Sequence, residues 1–260
     1  MPASPDRVLI LGGSAEAAAL AGRLADDARF EVVSSLAGAT RRPAPLAGRV
    51  TVGGFGGARG LARFLRAERI DRLVDATHPF AARISANAAE AAAEVGVALI
   101  RLSRPPWRAL PGDIWIEVAD AAEAARKLPG LAARVFLGLG RKELAAFAGL
   151  SGIWFLVRMI EAPETPIPLK NFELVLGRGP FALDDEAALF SSRRIEALVS
   201  RNSGGSATYA KIEAARRLRL PVLMLRRPRE PEGVATVDSV DAVLAWLEAD
   251  VPAKRETGAR

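Results

Sequence analysis

Short apolar runs that alternate with helix-like segments are the feature that most restricts how this chain can fold. In the first hundred residues each run has the length of a single strand, and Ala-rich segments of helical character lie among them. The predicted strands are residues 7–11 (RVLIL), 30–35, 71–75 and 97–102, and the predicted helices are residues 15–27 and 80–95. Strands that are apolar along their whole length are typical of a parallel sheet with helices on both faces. This half therefore predicts a doubly wound α/β domain.

The same alternation resumes after a break at residues 103–113 (SRPPWRALPGD), whose three prolines and one glycine exclude regular structure. The strands predicted beyond it are 135–139, 153–158, 172–176, 195–200 and 221–225, and the helices are 142–148, 207–218 and 241–248. We therefore predict a first domain over residues 1–107, a second over residues 108–250 and a polar tail over residues 251–260. Periodicity does not specify whether a final strand or helix returns to the first half.

The chain has no cysteine and a single histidine, His78. The absence of cysteine excludes disulfide scaffolds, zinc ribbons, iron–sulfur clusters and thiol nucleophiles, and one histidine excludes a multi-histidine centre, so we expect no metal. No uncharged run approaches the ~20 residues that a membrane-spanning helix needs, and the N-terminus does not resemble an export signal. We therefore expect a soluble, cytoplasmic protein with no membrane partner.

The net charge of +6 leaves three kinds of acidic partner open: nucleic acid, a membrane surface and a polyanionic small molecule. The arginines are interspersed with acidic residues, as in residues 63–69 (RFLRAER), and no dense basic block with interleaved aromatic residues occurs. This pattern favours a small molecule over nucleic acid. A codon bias toward arginine is the alternative explanation, and composition does not specify the oligomeric state.

The loop after the first predicted strand has the composition of a phosphate-binding turn. Gly12 and Gly13 allow the backbone to approach a phosphate, and Ser14 opens a helix whose N-terminal amides favour an anion. The match to the Gly-x-Gly-x-x-Gly fingerprint is imperfect, because Ser14 and Ala17 occupy the second and third glycine positions. A tight strand-to-helix turn without a ligand is the alternative interpretation.

The end of the second predicted strand favours NADP over NAD. An NAD-binding domain usually has an acidic residue there for the ribose hydroxyls, whereas this chain has Ser35 followed by Arg41 and Arg42. Guanidinium groups pair bidentately with phosphate oxygens, so these residues suit a 2′-phosphate. A solvated basic loop is the alternative.

Two further loops follow strands of the first half. Residues 52–57 (VGGFGG), with Gly54 and Phe55, would let a nicotinamide or a macrocycle lie flat on the backbone, or would form a flexible turn. Residues 75–80 (DATHPF) close a strand and open a helix. In this second loop His78 is a candidate proton donor or carboxylate partner, with a helix cap or a packed side chain as the alternatives.

The second half contains two strand-to-helix loops with basic residues. Residues 200–208 (SRNSGGSAT) form a candidate anion cradle, with Arg201 at its start and Lys211 one turn into the following helix. Residues 138–144 (GLGRKEL) form the other loop and carry Arg141 and Lys142. Because both loops follow strands of one parallel sheet, we expect their cations to meet at one edge and to bind a polycarboxylate.

Together these segments resemble the precorrin-6A reductase family of cobalamin biosynthesis. The motifs are LILGGSAEA, SLAG, VGGFGG, DATHPFAARISANA, GRKEL and VSRNSGGSATYAKIEAAR, which occur in order over residues 7–225. The resemblance implies two Rossmann-like doubly wound domains with the active site between them. It also implies reduction of the C18–C19 double bond of precorrin-6A to give precorrin-6B, with NADPH as hydride donor. The alternatives are the same reduction of a cobalt-containing precorrin and a non-catalytic NADP-sensing module.

The resemblance also suggests a role for each loop. Pyrophosphate binding is expected at Gly12, Gly13 and Ser14, and selection of the 2′-phosphate at Ser35, Arg41 and Arg42. The residues expected to border the nicotinamide are Gly54, Phe55, Asp75 and Thr77, with His78 or water as the proton donor. The residues expected to bind substrate carboxylates are Arg141, Asn202, Ser203, Gly204, Thr208 and Lys211.

Overall fold

A computed structural model describes residues 4–37 and 46–249. The chain divides into two compact units. The first contains the residues up to Arg104 together with those from Pro228 onward, and the second is Pro105–Arg227. Each unit has one six-stranded sheet in which every strand pair is parallel. The fold is therefore the predicted pair of doubly wound α/β domains.

The elements follow one another in the order strand, helix, strand over most of the chain. In the first unit they are β1 (Asp6–Leu11), α1 (Ala15–Ala25), β2 (Phe30–Leu36), β3 (Arg49–Val52), α2 (Ala58–Ala67), β4 (Arg72–Asp75), α3 (Ala82–Val95) and β5 (Ala98–Leu102). In the second unit they are β6 (Ile114–Val118), α4 (Ala121–Lys127), β7 (Arg134–Gly138), a 3₁₀ helix (Arg141–Phe147), β8 (Trp154–Met159), β9 (Phe172–Leu176), α5 (Leu183–Ser192), β10 (Ala197–Arg201), α6 (Ala210–Arg217) and β11 (Pro221–Leu225). The chain then adds β12 (Ala235–Val237) and α7 (Val240–Ala249) to the first unit.

The sheet of the first unit is buried on both faces. Alternate residues of β1 point to opposite sides, so Val8 packs with α1 and α7 while Leu9 packs with α2 and α3. Both side chains are fully buried, which explains why β1 is apolar without alternation. The strand order β12-β5-β4-β1-β2-β3 reverses direction between β1 and β4. The loops after these two strands therefore flank a crevice, which we call the first crevice.

The return of the chain to the first unit corrects the predicted domain boundaries. The second domain was expected to extend to residue 250, but β12 pairs with β5 and places Ala235 opposite Ile100. Val243 and Leu247 of α7 are fully buried in the same core as α1. The apolar face of α7 indicates that the helix packs on a sheet but carries no information about which sheet, so periodicity could not assign it.

The second sheet has the order β6-β11-β10-β7-β8-β9, which reverses between β7 and β10. The loops that follow these strands flank the second crevice, and Gly138 and Ser200 are paired at its base. The predicted break at residues 103–113 is confirmed, because regular structure resumes only at β6. No helix in the part of the chain that the structure describes is long and apolar enough to cross a membrane.

Sequence reasoning missed several elements with weak apolar signals. They are β3, β6, α4, α5 and β12. Strand β3 lies at the edge of its sheet with three of four residues exposed, and β6 has one buried residue of five. Edge strands bury too little surface to require a continuous apolar run. The short helix predicted at residues 142–148 is present as the 3₁₀ helix Arg141–Phe147.

Candidate active site

The loop after β1 has the geometry of a phosphate-binding turn. Gly13 has φ +109°, a conformation that L side chains rarely adopt, and a Cβ placed there would face open space. Ser14 caps α1, since its hydroxyl oxygen accepts from the Ala17 amide (3.0 Å). The same hydroxyl donates to the Ala76 carbonyl (2.8 Å) and so links the two loops of the first crevice. The predicted residues Gly12, Gly13 and Ser14 thus lie together at its base.

The predicted 2′-phosphate residues are only partly described. Ser35 is 5% exposed, and its carbonyl accepts from the Gly12 amide (2.8 Å), so it supports the glycine loop through its backbone. Arg41 and Arg42 lie outside the described residues. Their role remains a prediction.

The glycine-rich loop after β3 combines an open backbone with an anchored aromatic ring. Gly53 and Gly54 are exposed, and a Cβ at either would face open space. Phe55 is half-buried and packs against Phe64 of α2, with ring centroids 4.9 Å apart. A Cβ at Gly60 would collide with the Phe55 carbonyl, so the loop rests directly on α2. The loop therefore provides an open glycine surface held in place by Phe55.

Asp75 and Thr77 lie beneath the surface of the first crevice rather than on it. Their exposed fractions are 2% and 5%. Asp75 Oδ1 accepts from both the amide (3.1 Å) and the hydroxyl (2.6 Å) of Thr77, and Asp75 Oδ2 forms an ion pair with buried Arg101. The two predicted side chains thus shape the turn after β4, and this arrangement does not present the Asp75 carboxylate to a cofactor.

His78 follows this turn and is half-buried. Its Nδ1 accepts from the Phe80 amide (3.2 Å), so that the hydrogen of a neutral imidazole would lie on Nε2. The same residue accepts a second bond at its carbonyl, from the Ala81 amide (2.7 Å). These bonds lie within the turn before α3, whose N-cap is Ala81 and has no side-chain cap bond, so His78 does not cap the helix. Nε2 is the nitrogen that a proton-donor role would use.

In the second crevice the basic residues differ sharply in their surroundings. Arg201 is paired with Glu143 through two bonds, Nε to Oε1 (2.9 Å) and Nη2 to Oε2 (2.6 Å). Glu143 also accepts from the Gly140 amide (2.8 Å), so one carboxylate holds both loops together. Arg141 and Lys142 are exposed. Glu143 therefore brings the two loops together, but Arg201 is already paired with a carboxylate of the protein, and a meeting of the remaining cations stays a prediction.

The 202–205 loop is held by residues that sequence reasoning did not single out. The Asn202 side chain accepts from the Trp107 amide (2.7 Å) and donates to the Trp107 carbonyl (3.0 Å). Arg227 donates to the carbonyls of Asn202 (2.8 Å) and Ser203 (2.9 Å). Gly204 has φ +67°, and a Cβ there would collide with the Pro105 carbonyl. The predicted residues Asn202, Ser203 and Gly204 therefore form a rigid loop. The side-chain amide of Asn202 is hydrogen-bonded to the Trp107 backbone within the protein.

Lys211 is a buried cation, 8% exposed, below this loop. Its Nζ donates to the Thr208 carbonyl (2.9 Å) and lies 4.8 Å from the centroid of the Trp107 ring. The lysine stem passes under Gly138, at the end of β7. A buried ammonium group beside a carbonyl and an aromatic face is well placed to receive an anionic ligand group.

The residues that were missed include Arg101, Trp107, Glu143 and Arg227. The role of Glu143 could have been predicted from its position three residues after the loop glycine, where an acidic side chain completes a helix cap. Arg101 and Trp107 carried no local signal, because their partners lie 26 and 95 positions away along the chain. Within residues 4–37 and 46–249, no group of three or more acidic or histidine side chains is arranged to hold a metal ion.

Two parallel sheets, each with a glycine-bearing crevice at its reversal point, define a two-domain protein of the Rossmann-like α/β class. The family model for precorrin-6x reductase CbiJ/CobK matches residues 7–248. Precorrin-6A reductase of Rhodococcus erythropolis is 52% identical over 93% of this chain and 97% of its own length. That of a Sinorhizobium species is 51% identical over 92% and 91%. A solved structure described as CobK precorrin-6A reductase superposes with a TM-score of 0.89 at 42% identity, covering 94% of this chain and 96% of the other.

The chain belongs to the precorrin-6x reductase family and is an oxidoreductase. The resemblance inferred from the sequence motifs is thereby confirmed.

Proposed function

We propose that this protein reduces precorrin-6A to precorrin-6B in cobalamin biosynthesis, with NADPH as the hydride donor to the C18–C19 double bond. The observation that carries the proposal is the open backbone at Gly13, which lies at the N-terminus of α1 in the first crevice. Amides at a helix N-terminus bind phosphate, and this position receives the pyrophosphate of dinucleotides in doubly wound sheets. The relatives from Rhodococcus and Sinorhizobium are both named precorrin-6A reductase.

The chemistry requires little from the protein beyond positioning. Bound NADPH supplies a hydride, and a proton completes the addition across the double bond. In the first crevice, the glycine loop after β1 would hold the pyrophosphate, and the turn of residues 75–78 together with Gly54 would border the nicotinamide. The proton would come from His78 Nε2 or from water. That the active site lies between the two domains remains a prediction.

The second crevice would bind the macrocycle through its carboxylates. Lys211 is buried beneath the rigid loop of residues 202–205, while Arg141 and Lys142 are exposed on the facing loop. This combination of one fixed and two adaptable cations suits a ligand with several acetate and propionate groups. Arg201 would contribute by holding the loops together through Glu143 rather than by binding substrate.

The test is an anaerobic assay of the purified protein with precorrin-6A and either NADPH or NADH. Oxidation of the nucleotide and the absorption spectrum of the macrocycle are followed together. We expect both signals to change with NADPH. A change only with the cobalt-containing substrate would assign the protein to the alternative reaction, and NADPH binding without turnover on either substrate would favour the sensing module.

Replacement of Arg41 by alanine should weaken NADPH binding by about 10- to 100-fold, since one charge-assisted phosphate contact contributes ~1.5–3 kcal/mol. NADH binding should be unchanged, because NADH lacks the 2′-phosphate. Titration of both nucleotides against the variant measures the difference. Arg23→Ala is the matched control, since it removes an exposed arginine of α1 that pairs with Asp241. An equal loss for NADH would contradict the assignment of Arg41 to the 2′-phosphate.

A further inference from the structure

Arg101 is the largest polar side chain buried in the first unit, with 1% of its surface exposed. It lies near the end of β5, directly opposite Asp75 at the end of β4. Its guanidinium contacts three groups from different segments: Asp75, Ser85 of α3 and Glu230. Glu230 belongs to the segment through which the chain returns to the first unit, and it also accepts from the Ser103 hydroxyl (3.2 Å).

Such a cluster is not explained by stability alone. Burying an ion pair removes both charges from water, and a well-packed apolar pair of the same volume is often at least as stable. What the ion pair provides is a defined orientation. Arg101 holds Asp75 Oδ2, which leaves Oδ1 directed at the amide and hydroxyl of Thr77. Those two bonds set the turn that ends at His78.

The turn matters because it forms one wall of the first crevice. Within it, the Ala76 carbonyl accepts from the hydroxyl of Ser14, the cap of α1. His78 then accepts from the Phe80 amide through Nδ1. A displacement of the Asp75 carboxylate would therefore be transmitted to both the glycine loop and the imidazole.

We propose that Arg101 is a positioning residue, which fixes the Asp75–His78 turn against the returning segment and so orients the cofactor wall of the first crevice. The proposal rests on the proposed function for its effect on NADPH, but its effect on His78 can be measured independently. Asp75, Ser85 and Glu230 are its three points of attachment.

The experiment uses the single histidine of the chain. In tag-free protein labelled with ¹⁵N-histidine, the imidazole signals come from His78 alone. The wild type should show one neutral tautomer, with an unprotonated Nδ1. The test variant combines Arg101→Leu with Asp75→Asn, so that no buried charge is left without its partner. We expect mixed tautomers and an NADPH Kd raised about tenfold, which is the size of the loss of one hydrogen bond to the cofactor.

Val243→Ala is the control for lost stability, because Val243 is fully buried in the same unit but belongs to the core packed against α1. It should lower the unfolding temperature and leave the His78 signals and the NADPH Kd unchanged. If the double variant does not fold, the single variant Glu230→Gln tests the proposal instead. The Glu230 side chain is 38% exposed, so the protein tolerates the loss of this charge more easily. We expect the same tautomer mixing in that variant, to a smaller degree.

A single wild-type tautomer and wild-type NADPH affinity in the folded double variant would overturn the proposal. A single, wild-type His78 tautomer in the Glu230→Gln variant would also overturn the proposal. Failure of the proposed function is distinguishable from this result, because it would appear as absence of NADPH binding in the wild type, and the His78 signals would still report on the turn.

Discussion

Replacement of Gly13 by valine should raise the NADPH Kd by about 100-fold, because a β-branched residue held at φ +109° is strained by ~1–3 kcal/mol and its side chain occupies the phosphate position. The space around the Gly13 Cβ position is open, so the side chain would not disturb the core. The steric part of the loss should therefore fall on binding, whereas the backbone strain should also lower the unfolding temperature. Fluorescence titration with NADPH, beside the unfolding temperature, separates the two.

Gly22→Ala is the matched control for this variant. Gly22 lies within α1, nine residues further along, and a Cβ there also meets no atom within 4 Å. Since alanine is favoured over glycine in a helix by ~1 kcal/mol, this substitution should stabilise the protein slightly and leave NADPH binding intact. If Gly13→Val binds NADPH as well as Gly22→Ala does, the phosphate site is not at this loop.

Lys211→Met should raise the KM for precorrin-6A by about 30-fold or more, because removing one member of a desolvated charge pair costs ~2–5 kcal/mol of binding. Methionine keeps most of the lysine stem that passes under Gly138, so packing is largely preserved. The NADPH Kd should not change, since Lys211 belongs to the second unit and the predicted nucleotide residues belong to the first. Steady-state kinetics in both substrates give the two effects separately.

Lys127→Met removes the same charge from the surface of the second unit, where Lys127 pairs with Glu123 one helical turn away. An exposed pair of this kind contributes little, so the KM should stay within experimental error. A weakened NADPH affinity in Lys211→Met, with the KM for precorrin-6A unchanged, would reverse the assignment of the two crevices.

Local sequence was sufficient for the parallel α/β architecture and for the position of most chemistry-bearing loops. Strands such as β1 must be apolar along their length because both faces of the sheet are covered, and this requirement is visible in RVLIL itself. The glycines after β1 and β10 allowed the tight loops to be predicted, because φ values of +109° at Gly13 and +67° at Gly204 are accessible to few other residues.

Tertiary structure alone decided which of the predicted polar residues are available to a ligand. Arg201 and Asn202 look like ligand-binding residues in the sequence, but their partners Glu143 and Trp107 lie 58 and 95 positions away. The return of β12 and α7 to the first unit, and with it the placement of Glu230 on Arg101, depends on strand order. Local periodicity indicates whether a residue faces a core. It does not indicate which distant segment provides the partner in an ion pair or a hydrogen bond, because that depends on how the chain folds in three dimensions.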